Sequence, residues 1–389
     1  MRFAERTEWG RATDGWAQAL EQHRAAGRPL LDLTVSNPTT AGLQYEEQAI
    51  LEALRSAGAM QYEPDPAGIR SARESVAAYY AQSAHATVSP AHLLLTASTS
   101  EAYSFLFRLL CNPGDEVFIP APSYPLFDVL AALDDIRLVP YPLFYDHGWH
   151  VDHAALAAAI SSRTRAIIVV HPNNPTGHFT APQDRASLEA LCVEHSLSLI
   201  VDEVFLDYVV ETPAPFSFAA GPHPCMTFVL SGLSKIAALP QMKCAWMAVC
   251  GPQGERDESL ERLRVIADSY LSVSSPVQHA LPALLASRAA LQPQIRERIP
   301  ANLQALDAEI RRAPALSRLL VGAGWNVVLR VPALEPVESL AIRLMREDGI
   351  VVHPGSFYGF QGDGWLVLSL LTPPDAFRTG VAALARRFG

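Results

Sequence analysis

The chain has 389 residues, 49% of them hydrophobic and 18% charged, an ordinary globular composition that leaves room for more than one domain. A formal net charge of −10 provides no basic surplus for extended contact with nucleic acid or an anionic membrane, and no apolar run reaches membrane-span length. The N-terminus "MRFAERTEWGRATDGW" lacks the apolar core of a secretion signal. Cys111, Cys192, Cys225, Cys244 and Cys250 make no CxxC pair, and the histidines make no HxxxH or HExxH pattern. A reduced, cytoplasmic chain without a metal site is therefore expected.

In chain order, strand-like runs occur at "HLLLT" (92–96), "DEVFIP" (115–120), "IRLVPY" (136–141), "RAIIVV" (165–170), "LSLIV" (197–201), "TFVL" (227–230) and "AWMAVC" (245–250). Most are apolar along their whole length, as strands covered on both faces are. Helix-like segments separate them. In "EAYSFLFRLL" (101–110), Ala102, Phe105, Leu106 and Leu109 fall on one helical face, and "QDRASLEALCVEHS" behaves alike. The alternation predicts an α/β fold whose large domain holds a mostly parallel seven-stranded sheet between helices. After about residue 275 the pattern changes to a proline-punctuated helical stretch, then "WNVVLRVP", a helix over "EPVESLAIRLMREDG", "IVVHPG", "WLVLSLL" and a final helix. This predicts a smaller α/β domain built from the two chain ends, 1–45 and 285–389, around a large domain over 46–284.

In open α/β sheets ligands gather at the carboxyl ends of strands, so the residues following each strand are the candidates. After "HLLLT", Ser98 and Glu101 fit a capping box, and Ser98, Thr99 and Ser100 offer hydroxyls at a helix N-terminus, an anion site. Alone, this reads equally as a well-capped helix. After "DEVFIP", Tyr124 sits on a proline-stiffened loop, placed for stacking or for core packing. "HPNNPTG" is a turn that also presents amides. "LSLIV" runs into Asp202-Glu203, and an acid at the end of a buried strand needs a cation. "TFVL" runs into "SGLSK", which puts Lys235 on a short polar tether. Together these loops supply an anion cradle, a ring, an amide, a buried acid and an amine.

That set, in that order, resembles the fold type I pyridoxal 5′-phosphate enzymes, specifically the class I/II aminotransferases of the aspartate aminotransferase superfamily. The similarity runs from "SNPT" (36–39) to "SLLTPP" (369–374) and is carried best by "HPNNPTG", "VDEVF" and "SGLSK". The resemblance implies that Lys235 forms the internal Schiff base with the cofactor and shuttles a proton, while Asp202 pairs with the pyridine nitrogen. It implies Asn174 on the ring hydroxyl and Tyr124 stacked on the ring. The phosphate would be held by Ser98, Thr99 and Ser100, with Ser231, Ser234 and Lys243. Asn37 and Asn174 would bind substrate. "YEPDPAGIRSARESVAAYY" (62–80) is similar to the segment whose tyrosine, here Tyr62, reaches the neighbouring subunit of a homodimer. The bonds before Pro122 and Pro175 are implied to be cis.

Three positions depart from the family pattern: Lys243 and Val367 where arginines are usual, and Phe205 where a tyrosine is usual. Lysine meets a phosphate as a point charge without a bidentate fork. Valine cannot grip a substrate carboxylate, which leaves Arg2, Arg6, Arg11, Lys243 and Arg330 as alternative cations. The activity implied is transfer of an amino group between an amino acid and a keto acid. The alternatives are another reaction on the same cofactor (β-elimination, a C–S lyase or a cyclising synthase) and a non-catalytic sensor. The sensor would normally carry a basic DNA-binding module.

Overall fold

A computed structural model describes residues 1–7, 15–83, 86–211 and 216–389. Its strands are β1 (Leu31–Asp32), β2 (Leu93–Thr96), β3 (Glu116–Ala121), β4 (Arg137–Tyr145), β5 (Trp149–Val151), β6 (Thr164–Val170) and β7 (Ser198–Asp202). There follow β8 (Thr227–Gly232), β9 (Ala245–Cys250), β10 (Ser317–Arg318), β11 (Asn326–Arg330), β12 (Ile350–Val351), β13 (His353–Pro354) and β14 (Trp365–Ser369).

The large sheet has the order β2-β9-β8-β7-β6-β3-β4-β5. Strands β3, β4, β6, β7 and β8 run parallel to one another, whereas β9 runs antiparallel between β8 and β2. The continuously apolar strands are buried along nearly their whole length because alternate residues enter two different cores. Leu95, Ile167, Val169, Leu199, Val201 and Val229 pack on one face. Leu94, Ala166, Ile168, Val170, Ile200 and Phe228 pack on the other. Helix Thr99–Leu110 covers the second face with Ala102, Phe105 and Leu106, as its periodicity predicts, and also with Tyr103 and Phe107.

The sheet has eight strands where seven were expected. The addition is β5, three residues folded back on β4 with Leu143 opposite Val151 and Tyr145 opposite Trp149. The continuation of β4 past Tyr141, the expected end, through Pro142 to Tyr145 is also new. Pro142 turns its carbonyl toward Asp152 N, away from β3, so its missing N–H takes no bond from the β3–β4 ladder.

A four-stranded antiparallel sheet, β10-β11-β14-β13, forms from the C-terminal third of the chain. The N-terminal segment joins it: Leu31 and Asp32 pair in parallel with Ile350 and Val351, and Ser369 N donates to Leu33 O at 2.7 Å. Leu33, Ala41 and Leu43 share a core with Val327, Leu329, Leu366, Leu368 and Phe377. The bonds before Pro122 and Pro175 are cis, as are those before Pro172 and Pro222. No described helix is long and apolar enough to cross a membrane.

Candidate active site

The carboxyl ends of the parallel strands open into a cavity of about 210 Å³. Val170 ends β6, Asp202 ends β7 and Gly232 ends β8, and all three line it. The first turn of helix Thr99–Leu110 and the loop after β3 complete one side. The amino end of β11 and the carboxyl end of β14 close the other, so the cavity lies between the two sheets.

Asp202 forms the floor and is 9% exposed. Its Oδ2 accepts from the Tyr103 hydroxyl at 3.2 Å and its Oδ1 from Val204 N at 3.1 Å. Burial pushes its carboxyl up to about 6, against these hydrogen bonds and the charge of Lys235, which favour the anion. Its neighbour Glu203 projects from the opposite side of the strand, where Ser217 Oγ and Phe218 N satisfy it. The acid pair "DE" thus divides, and only Asp202 belongs to the cavity.

Lys235 is the third residue of the short helix Leu233–Ile236 that follows β8. Burial brings its amine down to about 8, with the Asp202 charge opposing the shift. The Nζ sits 4.9 Å from the Trp325 ring centroid and 5.5 Å from that of Phe205, and those two rings meet edge to face. The Lys235 carbonyl accepts from the Tyr208 hydroxyl at 2.6 Å, which fixes the backbone beneath the amine.

Thr99, Ser100, Tyr124, Asn174 and Ser234 also line the cavity. The two asparagines of "HPNNPTG" have separate tasks. Asn173 is buried and spends its amide on Pro122 O and Thr176 Oγ1, tying the turn together. Asn174 faces the cavity and accepts at Oδ1 from Asn326 Nδ2, 2.7 Å away.

Other expected residues lie outside the lining. Ser98 is the cap of its helix, its Oγ accepting from Glu101 N at 3.1 Å. Glu101 answers to Ala97 N rather than to the cap's own N–H. Asn37 caps a short turn, accepting from Thr39. Lys243 is exposed at the end of a 3₁₀ turn. Tyr62 is 77% exposed, on a separate groove beside Pro64 and Phe105. Ser231 is buried behind Gly232, and its hydroxyl has no hydrogen-bond partner.

Of the alternative cations, Arg6 pairs with Asp135 at 2.9 Å, Arg2 is exposed, and Arg330 stacks over Trp365 with its guanidinium 4.1 Å from the ring. Arg11 lies outside the described residues. Val367 is buried in β14 opposite Val328 and His353.

The residues present fit pyridoxal 5′-phosphate. An acid held ionisable at the floor suits a ring nitrogen, a depressed amine suits an aldehyde, and the hydroxyls at a helix N-terminus suit a phosphate. Sequence reading missed Tyr103, Trp325 and Asn326. The buried tyrosine was the one with a signal, since its hydroxyl and Asp202 each needed a partner.

Fold and cavity together define a fold type I pyridoxal 5′-phosphate enzyme. The sequence profile described as "Aminotransferase class I and II" matches residues 28–384, and the chain belongs to that family. It is 27% identical over 269 residues to the glutamate-pyruvate aminotransferase AlaA of Escherichia coli, a match covering 69% of this chain and 66% of that protein. An alanine aminotransferase of Mycobacterium tuberculosis is 26% identical over 375 residues, covering 94% and 86%. Among solved structures, an alanine aminotransferase from Pyrococcus furiosus superposes with a TM-score of 0.91 at 20% identity, covering 100% of this chain and 99% of the other.

Proposed function

We propose that the protein is an aminotransferase that moves an amino group between an amino acid and a keto acid, with Lys235 as the reacting amine. The observation carrying the reading is that one cavity holds both Lys235 and Asp202 at the carboxyl ends of adjacent strands. When bound, pyridoxal 5′-phosphate supplies an aldehyde that bonds an amine reversibly and a ring that draws electrons from the carbon carrying it.

Each protein group then has a defined task. Asp202, oriented by Tyr103 and the Val204 N–H, holds a cation at the floor. With its pKa near 8, Lys235 presents a useful fraction of neutral Nζ at mildly alkaline pH and accepts a proton from the donor's Cα. Thr99, Ser100 and Ser234 hold the phosphate with the helix N-terminus, and Ser231 reinforces them. Ser98 acts by capping that helix, and Lys243 adds long-range positive charge. Tyr124 covers one face of the ring, and the amide of Asn174 donates to its hydroxyl. Asn37 orients the loop that carries Ser36 into the cavity.

The same reading divides the chain into a large domain over 46–284 and a small domain from 1–45 and 285–389, with the reaction at their junction. It makes the protein a homodimer: exposed Tyr62 serves the neighbouring subunit's cavity, not its own. A cytoplasmic location fits five cysteines that are all unpaired.

The test is to load purified protein with the cofactor, add an amino acid alone, and follow the visible spectrum. Conversion to the amine form with release of one keto acid, reversed by a second keto acid, is expected. Pyruvate and ammonia with the colour retained would instead make the protein a lyase. Protein that takes up no cofactor would end the proposal.

A further inference from the structure

Lys235 is the one lysine or arginine among the described residues that line the cavity, and the proposed reaction already employs that amine. Within the described lining a donor's carboxylate is left with neutral groups as partners, and an unpartnered buried carboxylate is costly. Most neutral groups nearby are engaged. Ser369 Oγ donates to Val35 O at 2.6 Å and Thr34 Oγ1 to Asp32 at 2.6 Å, while His353 Nδ1 and the Tyr358 hydroxyl lie 3.1 Å apart. Burial also lowers the His353 pKa, with Asp32 opposing, so the ring there is not a fixed charge.

Ser36, Trp325, Asn326 and Asn174 remain, and of these the two asparagines form a bonded pair. Asn326 opens β11 opposite Ser369, and its Nδ2 donates to Asn174 Oδ1 at 2.7 Å. An asparagine amide has an accepting end and a donating end. With the accepting end of Asn174 occupied, its two N–H groups are left to donate, one to the ring hydroxyl and the other, beside the second N–H of Asn326, to the donor.

We propose that Asn326 determines specificity: by fixing the orientation of Asn174 it builds a neutral clamp for the carbonyl-type group on the donor's α-carbon. The substrate class follows. Amino acids and their carboxamides are both accepted, with little discrimination between them, because neither asparagine offers a charge that rewards the carboxylate. This inference rests on the aminotransferase reading, and its test separates the two.

The experiment measures conversion of the bound cofactor in the holoenzyme by the twenty standard amino acids, then by L-alanine against L-alaninamide and L-phenylalanine against its amide. Wild type should favour the carboxylate by no more than about tenfold in kcat/KM, since neutral hydrogen bonds lack the added strength of charge-assisted ones. Asn326→Asp accepts where Asn326 donates. It should turn Asn174 around and raise KM for the carboxylate donor at least about tenfold more than for the carboxamide, with kcat less affected. Asn326→Ala should weaken both donors alike. A wild-type preference above about 100-fold would place a guanidinium or ammonium at the subsite and overturn the inference, whatever the variants do. So would an Asn326→Asp variant whose two KM values move together. If no amino acid converts the cofactor at all, the aminotransferase reading itself fails, and the clamp with it.

Discussion

Replacing Tyr103 by phenylalanine isolates one hydroxyl at the floor of the cavity. The ring packs edge to face on Phe127 with centroids 5.0 Å apart, and phenylalanine keeps that contact. What disappears is the 3.2 Å hydrogen bond to Asp202 Oδ2. A hydrogen bond to a charged acceptor contributes about 1.5–3 kcal/mol, and this length argues for about 1.5. One pKa unit corresponds to about 1.4 kcal/mol, so the Asp202 carboxyl should move up by about one unit from its already raised value near 6. A raised carboxyl makes the unloaded fold less stable as pH rises through the window between 3.8 and about 6. In Tyr103→Phe that loss should extend to about pH 7 and deepen by about 1.4 kcal/mol above it. Below pH 5 the two proteins should differ least. Denaturant melts of the unloaded protein at pH 5 and 8 measure this. Titration with pyridoxal 5′-phosphate should show about twofold weaker binding at pH 7, growing toward about tenfold near pH 5, with the acid limb shifted upward by about one unit. An unchanged limb together with unchanged affinity would mean that the Tyr103 hydroxyl does not hold the carboxylate, and the assignment of Asp202 as the cavity's anion would lose its main support.

Two further outcomes follow from the same geometry. A Cβ at Gly232 would lie 2.8 Å from Ala245 Cβ and 2.9 Å from its Cα, between strands β8 and β9. Gly232→Ala should cost about 1–3 kcal/mol in a melt and weaken cofactor binding further, because both residues line the cavity; a neutral result would show that the strands can part without disturbing the site. In the unloaded protein the Lys235 amine should gain its reactivity toward an acylating reagent with a midpoint at about pH 8. The neutral fraction rises with pH through that value, so competitive labelling read by mass spectrometry should level off about one to two pH units above it. A Lys235 whose labelling reaches its midpoint at the ordinary lysine value of 10.5 would remove the argument for a depressed amine.

Strands that are apolar from end to end announce their own burial, and all the large-sheet strands expected from the sequence form. The exception, β5, has only three residues and pairs with the part of β4 that lies beyond the expected strand end at Tyr141. Within the cavity, residues immediately following strands were legible because topology alone sends them to one edge: Asp202 after β7's apolar run, Lys235 after β8, Asn174 after β6. Groups that reach the cavity from elsewhere gave no local sign. Tyr103 lies one position past an already recognised helical face, and its partner is 99 residues away. Asn326 begins a strand of a different sheet, and its bond to Asn174 spans 152 residues. Side-chain hydrogen bonds of that separation depend on how two sheets dock, which no periodicity encodes. The same docking explains why a missing arginine is visible in the sequence at Val367 while its neutral substitute is not. A lost charge changes one position, but the replacing clamp exists only where β11 meets the loop after β6. Specificity therefore belongs to the junction of the two sheets, and chemistry to the carboxyl edge of one. Substitutions at Asn326 should change which donor is accepted while leaving the Lys235–Asp202 pair intact.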